Sequence, residues 1–267
     1  MEISHLIGNV LAVFVGITLG MLGSGGSILS VPILVYVMGI EPVLATAYSL
    51  FIVGMSAMIG GIQKANQQLV DFKKVVLFGV PTLIAVFITR KFIVPNIPDI
   101  LFSTATFTLQ KSVFIMIVFA IVMIVASIKM IKPMKELASS NGGKLNYFAI
   151  FFQGLLIGFI AGFVGAGGGF LLIPALVFMA KTPMKMAVGT SLFIVSTQSL
   201  IGFLGDVGGN QIIDWQLIIT FTVCASVGIF IGNFISKKIA SNKLKVGFGW
   251  FVLAMGIYII IKELIFH

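Results

Sequence analysis

Two glycine-rich clusters are the parts of this sequence best suited to binding a ligand within an apolar environment. Their members are the small residues Ser24, Gly25, Gly26 and Ser27 in the first cluster and Gly167, Gly168 and Gly169 in the second. A helix that begins inside a membrane has unpartnered N–H groups and a positive dipole end at its start. Glycine lets a ligand approach that backbone closely. The clusters therefore predict a site for a small anion.

A polar patch follows each cluster and adds side-chain donors. Its candidate binding residues are Ser49, Thr190, Ser191 and Gln198. No nucleophile–base pair and no metal-binding motif is present, so we expect no enzyme, no catalytic residue, no cofactor and no metal site. The opposing interpretation is close helix packing, which Gly, Ser and Thr also serve in membranes. The sequence leaves both interpretations open.

The acidic residues are all predicted to lie outside the middle of the apolar segments. Asp71 and Asp214 are expected to be helix N-caps. The others are expected in loops (Glu41, Asp99, Asp206) or near an end or in the linker (Glu2, Glu136, Glu263). A cation carrier would be expected to contain an intramembrane carboxylate, so this distribution favours an anionic ligand. Arg90 and Lys91 are expected to compensate a helix dipole, and Asn233 to serve helix packing.

The clusters belong to an internal repeat. The glycine clusters, a following proline and a Ser-Leu-Phe-Ile-Val run recur at a constant offset of 142 residues, as Ser49 and Ser191 show (191 − 49 = 142). One match between apolar segments could arise by chance, whereas a register held through all three features indicates duplication.

Composition places these repeats in a membrane. Hydrophobic residues make up 59% of the 267 residues and charged residues only 9%, which leaves too little polar surface to coat a soluble globule. About ten apolar segments are predicted, five in each half: 6–22, 27–38, 43–62, 74–95, 105–131, 148–164, 169–180, 187–204, 215–236 and 246–266. Segments 27–38 and 169–180 are shorter than the roughly 20 residues needed to cross a bilayer. Each cluster is therefore predicted to join partial helices that meet inside the membrane, although a tight surface turn would also fit.

The basic residues predict the orientation. With an odd number of crossings in each half, thirteen of the seventeen Lys and Arg residues fall on one side. The exceptions are Arg90, Lys91, Lys111 and Lys262. By the positive-inside rule the lysine-rich side is cytoplasmic, both termini lie outside, and the net charge of +9 needs no nucleic acid to explain it. We predict a multi-pass protein of the cytoplasmic membrane.

The predicted fold is an all-α polytopic membrane protein with two inverted repeats. The first repeat is assigned to residues 1–131 and the second to 147–267. A polar, basic cytoplasmic linker at 132–146 separates them. Small residues on helix surfaces would permit a homodimer without requiring one.

The stretches GMLGSGGSILSVPILVYVMGIEPVLATAYSL and GFVGAGGGFLLIPALVFMAKTPMKMAVGTSLF carry a family resemblance. Their glycine breaks, helix prolines, proline turns and Tyr/Thr-Ser-Leu patches resemble those of the sulfite exporter TauE/SafE family. The resemblance implies a transporter, with export as the implied direction, for sulfite, organosulfonates or related small anions. The two copies differ chemically, because Ser24 and Ser27 are replaced by Ala166 and Gly169, and Tyr48 by Thr190.

The expected function is a secondary carrier for such an anion, with H⁺ or Na⁺ as the available coupling ions. Two alternatives stay open at this level: a channel or a carrier for another small organic anion, and a membrane scaffold that transports nothing. Neither the residues nor the resemblance chooses the substrate or the coupling ion.

Overall fold

Helices account for almost all of the protein in a computed structural model that describes residues 2–104, 107–131, 147–178, 180–207, 213–236 and 241–265. The α-helices are α1 (Glu2–Leu22), α2 (Ser30–Pro32), α3 (Pro42–Asn66), α4 (Phe72–Ile88), α5 (Lys111–Ile131), α6 (Tyr147–Val164), α7 (Gly169–Phe178), α8 (Met184–Val207), α9 (Trp215–Ser236) and α10 (Ser241–Ile265). A 3₁₀ segment, Gly23–Leu29, precedes α2, and π-helical segments follow α2 (Ile33–Val37) and α4 (Thr89–Ile93). The predicted linker 132–146 lies outside the described residues.

The predicted all-α polytopic membrane fold is confirmed. Seven of the described helical stretches are long and apolar enough to cross a membrane. Large hydrophobic side chains such as Phe148, Leu156 and Phe234 are exposed on the outer faces of the bundle. In water such a surface would be unfavourable, whereas lipid tails solvate it.

Acidic N-caps and prolines set the starts of three of these helices. The carboxylates of Glu41, Asp71 and Asp214 accept hydrogen bonds from backbone N–H groups three residues later, at 3.0, 3.3 and 3.0 Å. Each bond satisfies one of the N–H groups that a helix start leaves free. The N-cap roles predicted for Asp71 and Asp214 are confirmed, and Pro42 occupies the first turn of α3, where its missing N–H costs nothing.

The chain reverses direction at the first glycine cluster. Helical geometry runs from Ile7 to Val37, so the predicted segments 6–22 and 27–38 are joined by a 3₁₀ segment and not by a helix break. A straight helix would place residues 8 and 38 about 45 Å apart. Instead, a Cβ on Gly8 would lie 2.8 Å from the Met38 sulfur. The stretch is therefore a helical hairpin, and Gly23, at φ +68°, lies at its tip.

The second cluster forms a matching hairpin with a true break. Helix α6 ends at Val164 and α7 begins at Gly169. Between them, Gly165, Gly167 and Gly168 have φ values of +74°, +66° and +60°, which favour glycine. With only ten residues, α7 is too short to cross a bilayer. The predicted junction of two partial helices is found here, with a non-helical gap that the first cluster lacks.

The helices of the two halves pack in reciprocal pairs. Helix α1 packs on α9 and α6 on α4, while α3 packs on α8 and α5 on α10. A Cβ on Gly16 of α1 would overlap the Ala225 carbonyl oxygen, and one on Gly158 of α6 would overlap that of Thr82. Both pairs differ by the repeat offset (158 − 16 = 142; 225 − 82 = 143). An internal two-fold relation between the halves would produce this reciprocal packing. The inverted orientation of the halves and the boundaries 1–131, 132–146 and 147–267 stay predictions.

One predicted segment was partly wrong. Residues 105–131 were expected to be a single apolar span, but β2 (Phe107–Gln110) pairs antiparallel with β1 (Ile100–Thr104), and α5 begins only at Lys111. The β-branched and aromatic residues there suit a strand as well as a membrane helix, so hydropathy alone could not separate the two.

The hairpin at the first glycine cluster can be tested by cross-linking. In a Cys224→Ala background, Gly8→Cys with Met38→Cys should cross-link through a short bismaleimide, because these two positions are in contact. The readout is cyclisation detected by protease digestion and mass spectrometry.

A matched pair controls for nonspecific reaction. Gly8→Cys with Ile62→Cys should not cross-link, because Ile62 lies twenty residues along α3 from Pro42, or about 30 Å. Equal reaction of both pairs, or none in the Gly8–Met38 pair, would contradict the hairpin.

Candidate functional site

The tips of the two hairpins contact each other in the interior of the bundle. The Ser24 hydroxyl donates to the Gly169 carbonyl at 3.1 Å, and the Ser27 hydroxyl lies within donating distance of two carbonyls, that of Ala166 at 2.5 Å and that of Ser24 at 2.8 Å. Both serine side chains are fully buried. The structure thus brings together the two clusters that the sequence marked as candidates, although they lie more than 130 residues apart in the chain.

The contacts between the tips follow the repeat. Residues 24 and 166 are equivalent (166 − 24 = 142), and so are 27 and 169 (169 − 27 = 142). Ser24 therefore bonds to the equivalent of Ser27, and Ser27 bonds to the equivalent of Ser24. Only the first tip supplies hydroxyls, so the site is chemically asymmetric.

The second tip presents backbone N–H groups that lack partners. Among the described residues, the amide hydrogens of Ala166, Gly167 and Gly168 make no backbone hydrogen bond, while the Gly165 N–H donates to Ala161. Unpartnered buried donors cost free energy unless water or a ligand accepts their hydrogens. Three consecutive free N–H groups beside the start of α7 form a cradle of the kind that binds anions.

Two side chains of α8 complete this cradle. The Gln198 side-chain amide donates to the Gly167 carbonyl, and its own oxygen has no partner among the described residues. The buried Ser199 hydroxyl likewise has no partner in the described part of the chain, and it lies 2.8 Å from where a Cβ on Gly167 would be. From the sequence, Gln198 is a candidate binding residue, whereas Ser199 is a polar group of the same stretch to which only a packing role is assigned.

Several of the other candidates are used within the protein. Ser49 shares a 2.5 Å hydrogen bond with Ser30, and Ser191 donates to Val188 within its own helix. The Thr190 hydroxyl accepts the Asp71 N–H at 3.0 Å. These hydroxyls are all buried, and their contacts explain their presence through packing and capping.

A second reciprocal pair links Thr190 and its repeat equivalent, Tyr48. The Tyr48 hydroxyl accepts the Asp214 N–H at 2.7 Å, as Thr190 does for Asp71. Each patch therefore anchors the first residue before a helix of the other half. The sequence identified both patches and both aspartates but could not show that they pair across the repeats.

The first tip leaves one glycine with space around it. A Cβ on Gly25 would meet only Ile173 and Leu22, at 3.9 and 4.0 Å, which is ordinary contact. By contrast, Gly26 lies against the Thr18 and Leu19 backbone of α1, so its lack of a side chain is needed for the hairpin to close. The two glycines of this cluster thus serve different purposes.

A cavity of about 270 Å³ lies at the end of the bundle where α9 begins. It is lined by Asn9, Met38, Asp214, Gln216, Leu217 and Thr220. Its lining includes the N-cap aspartate whose N–H is held by Tyr48. Its polar lining residues Asp214, Gln216 and Thr220 are exposed, so the cavity opens at the surface of the bundle. Within the described residues, no group of His, Cys, Asp and Glu is arranged to bind a metal.

One expectation about charged residues was wrong, because Asp206 lies in the last turn of α8 and not in a loop. Glu263 lies near the end of the last helix, as expected, but it is buried and accepts a 2.7 Å hydrogen bond from Tyr36. Arg90 lies in the last turn of its helical segment, as dipole compensation requires, and it is also fully buried and ion-paired with Asp206. Asp206 and Glu263 each lie one residue from the end of a candidate span, so no described carboxylate lies in the middle of one. Asn233 is buried and bonds to Gln63, as a packing role predicts.

Comparisons with known proteins agree with the fold. A family model described as sulfite exporter TauE/SafE matches residues 9–259. A "Probable membrane transporter protein" of Xylella fastidiosa (strain 9a5c) is 28% identical over 255 residues, which cover 92% of this chain and 91% of that protein. The "Probable membrane transporter protein YunE" of Bacillus subtilis (strain 168) is 23% identical over 261 residues, covering 90% and 92%. No solved structure matches the chain.

The contact between the tips predicts a difference between two buried serines. Ser24→Ala removes the hydrogen bond to the buried Gly169 carbonyl of the second tip and should destabilise the protein by about 1 kcal/mol or more. Ser56 is also fully buried in a helix, but its hydroxyl has no partner among the described residues. Ser56→Ala should therefore leave stability unchanged or raise it. Thermal unfolding of the detergent-solubilised variants measures both effects, and an equal loss in the two would refute the contact.

Proposed function

The chain belongs to the sulfite exporter TauE/SafE family of membrane transporters, and on that basis we propose that it exports a small sulfur-containing anion, sulfite or an organosulfonate. In this proposal it is a secondary transporter of the cytoplasmic membrane. The linker 132–146 faces the cytoplasm, and both termini face outward, as the distribution of lysines predicts.

The observation that supports this proposal best is the cradle at the second hairpin tip. The free N–H groups of Ala166, Gly167 and Gly168 lie in the bundle interior, beside the start of a helix too short to cross the membrane. A sulfite or sulfonate head group has three oxygens that accept such hydrogen bonds. Broken helices with their N-terminal ends at the substrate are a recurrent way in which transporters bind anions.

The reciprocal packing supplies a route to alternating access. If the halves are inverted repeats, exchanging their conformations opens the site first to one side of the membrane and then to the other. The Ser24 and Ser27 bonds and the Tyr48 and Thr190 bonds join the halves at the points that such a motion must rearrange. A few neutral hydrogen bonds, each worth about 1 kcal/mol net, would permit the motion.

Export is compatible with the electrical driving force. An inside-negative potential drives an anion outward by about 2.3 kcal/mol per charge and 100 mV. Coupling to H⁺ or Na⁺ would add to or oppose this force. The buried Glu263 is an acidic group that such a coupling could use.

Transport can be tested in proteoliposomes loaded with sulfite, methanesulfonate, sulfoacetate or a carboxylate control. We expect saturable flux and counterflow for at least one sulfur-containing anion. Flux that does not saturate and shows no counterflow would indicate a channel. Absence of flux for every anion under proton, sodium and electrical gradients would refute the proposal.

A pair of glycine substitutions locates the site. Gly167→Ala places a methyl group 2.8 Å from the Ser199 hydroxyl and strains a backbone at φ +66°, so flux should fall at least tenfold. Gly247→Ala is the control, because Gly247 is exposed and a Cβ there meets nothing within 4 Å. Its flux should remain within twofold of the wild type. Equal flux in the two variants would place the site elsewhere, and size-exclusion profiles report whether each variant folds.

A further inference from the structure

Arg90 is a fully buried cation whose donors are almost entirely unused. It lies in the π-helical segment Thr89–Ile93 that extends α4, with a side-chain exposure of 0%. Its Nε lies 3.2 Å from Asp206 Oδ2 of α8, close enough for an ion pair. Within the described part of the chain, Nε, Nη1 and Nη2 all lack a hydrogen-bond acceptor. Among the described residues, the guanidinium therefore has one ion-pair contact, and its buried Nη1 and Nη2 atoms have no hydrogen-bond acceptor.

Burying a guanidinium with so few acceptors is energetically unfavourable unless a ligand supplies the missing ones. Removing a charged side chain from water carries a penalty of several kcal/mol, which one ion pair offsets only with good geometry and satisfied donors. Ionisable groups within membrane segments are for this reason associated with substrate and ion pathways. The two atoms Nη1 and Nη2 have the spacing that binds an oxyanion through two parallel hydrogen bonds.

The equivalent pair of helices shows that packing alone does not need a charge here. Asn233 of α9 is the repeat equivalent of Arg90 at the offset found for the capping aspartates (233 − 90 = 143; 214 − 71 = 143). It donates to Gln63 of α3, which is equivalent to Gly205, one residue before Asp206 (205 − 63 = 142). A neutral amide pair thus joins α9 to α3, whereas a charged pair joins the equivalent helices α4 and α8.

The aliphatic part of the Arg90 side chain packs closely against helix α8. A Cβ on Gly205 would lie 3.1 Å from the Arg90 Cβ, and one on Gly202 would lie 3.9 Å from its Cγ. Both glycines are in α8, so the arginine stem lies directly along that helix. Asp206 lies on the same helix, and its carboxylate contacts Nε of the guanidinium.

We propose that Arg90 is an anion-binding residue, whose Nη1 and Nη2 hold a small oxyanion such as sulfite or a sulfonate while Asp206 positions Nε. The inference rests on the proposed function and adds a second binding position to it, at the end of α4 and α8. Asp206 is a positioning residue, and its negative charge weakens the anion's binding without preventing it.

Substitutions that remove a positive or a negative charge test this assignment. Purified protein in detergent is titrated with sodium sulfite and, separately, with sodium methanesulfonate, and sodium chloride keeps the ionic strength constant. Anion affinity is measured from the shift in thermal unfolding and from the calorimetric heat of binding. Arg90→Lys keeps the charge but loses the bidentate geometry, and should weaken binding at least tenfold. Asp206→Asn removes a competing charge, and should keep or tighten binding by a few-fold.

A purely structural ion pair predicts a different result. In that case Arg90→Gln and Asp206→Asn would each destabilise the protein, and neither would change anion affinity selectively. The double variant Arg90→Gln with Asp206→Asn leaves no lone buried charge, so it should recover thermal stability. If Arg90 binds the anion, the double variant still loses anion-dependent stabilisation. If it regains that stabilisation, the inference is overturned.

Lys91 supplies the matched control for charge. Its side chain is exposed and lies over the rings of Phe87 and Phe92, with its amine 5.3 and 5.8 Å from their centroids. Lys91→Gln removes one positive charge next to Arg90 and should change anion affinity by less than twofold. An equal loss in Lys91→Gln would show general electrostatic attraction and overturn the assignment to Arg90.

Flux in proteoliposomes separates this inference from the proposed function. If the wild type transports a sulfur-containing anion while Arg90→Lys retains the affinity of the wild type, only the inference about Arg90 fails. If the wild type transports no sulfur-containing anion but binds one through Arg90, the proposed function fails and the binding site stands.

Discussion

The rest of the structure depends on one requirement: a chain that turns inside a bilayer must satisfy its own backbone polar groups. Both halves turn at a glycine cluster, and the carbonyl groups exposed by the second turn are met by hydroxyls of the first. Gln198 meets a third carbonyl, that of Gly167. Among the described residues, the N–H groups of the second tip receive no such partners, and under the proposed function this imbalance between satisfied carbonyls and free N–H groups is what attracts an anion to the centre of the bundle.

Close approach of helices supports this centre. Lipid tails are as apolar as leucine, so helices in a membrane associate through packing and not through the hydrophobic effect. At Gly16 and Gly158 no side chain would fit between a helix and the carbonyl groups of its neighbour. Helices α1 and α6 are thereby held firmly against α9 and α4. The hairpin tips that follow α1 and α6 are positioned by these contacts.

The helices of the two halves pack in reciprocal pairs, whereas the side chains at equivalent contacts differ. Ser24 and Ser27 face Ala166 and Gly169, which carry no donor in their side chains. The charged pair of Arg90 and Asp206, which joins α4 to α8, corresponds to a neutral amide contact between α9 and α3. Duplication of a repeat provides two equivalent frameworks, and divergence of single residues within them makes the two sides of the centre chemically different. An asymmetric site of this kind can distinguish one end of a substrate from the other.

The sequence by itself determined the membrane environment, the repeat, the two clusters and the N-caps Asp71 and Asp214, because hydropathy, spacing and capping depend on residues near one another in the chain. It could not show that the clusters touch, that Tyr48 and Thr190 hold the opposite aspartates, or that Ser199 joins the cradle, since these contacts join distant parts of the chain. It also placed Asp206 in a loop, and it did not show that Arg90 and Glu263 are buried. A charged residue near the end of an apolar segment looks the same in sequence whether it faces water or the bundle. Only the packing of the neighbouring helices decides which, because burial is a property of the assembled fold.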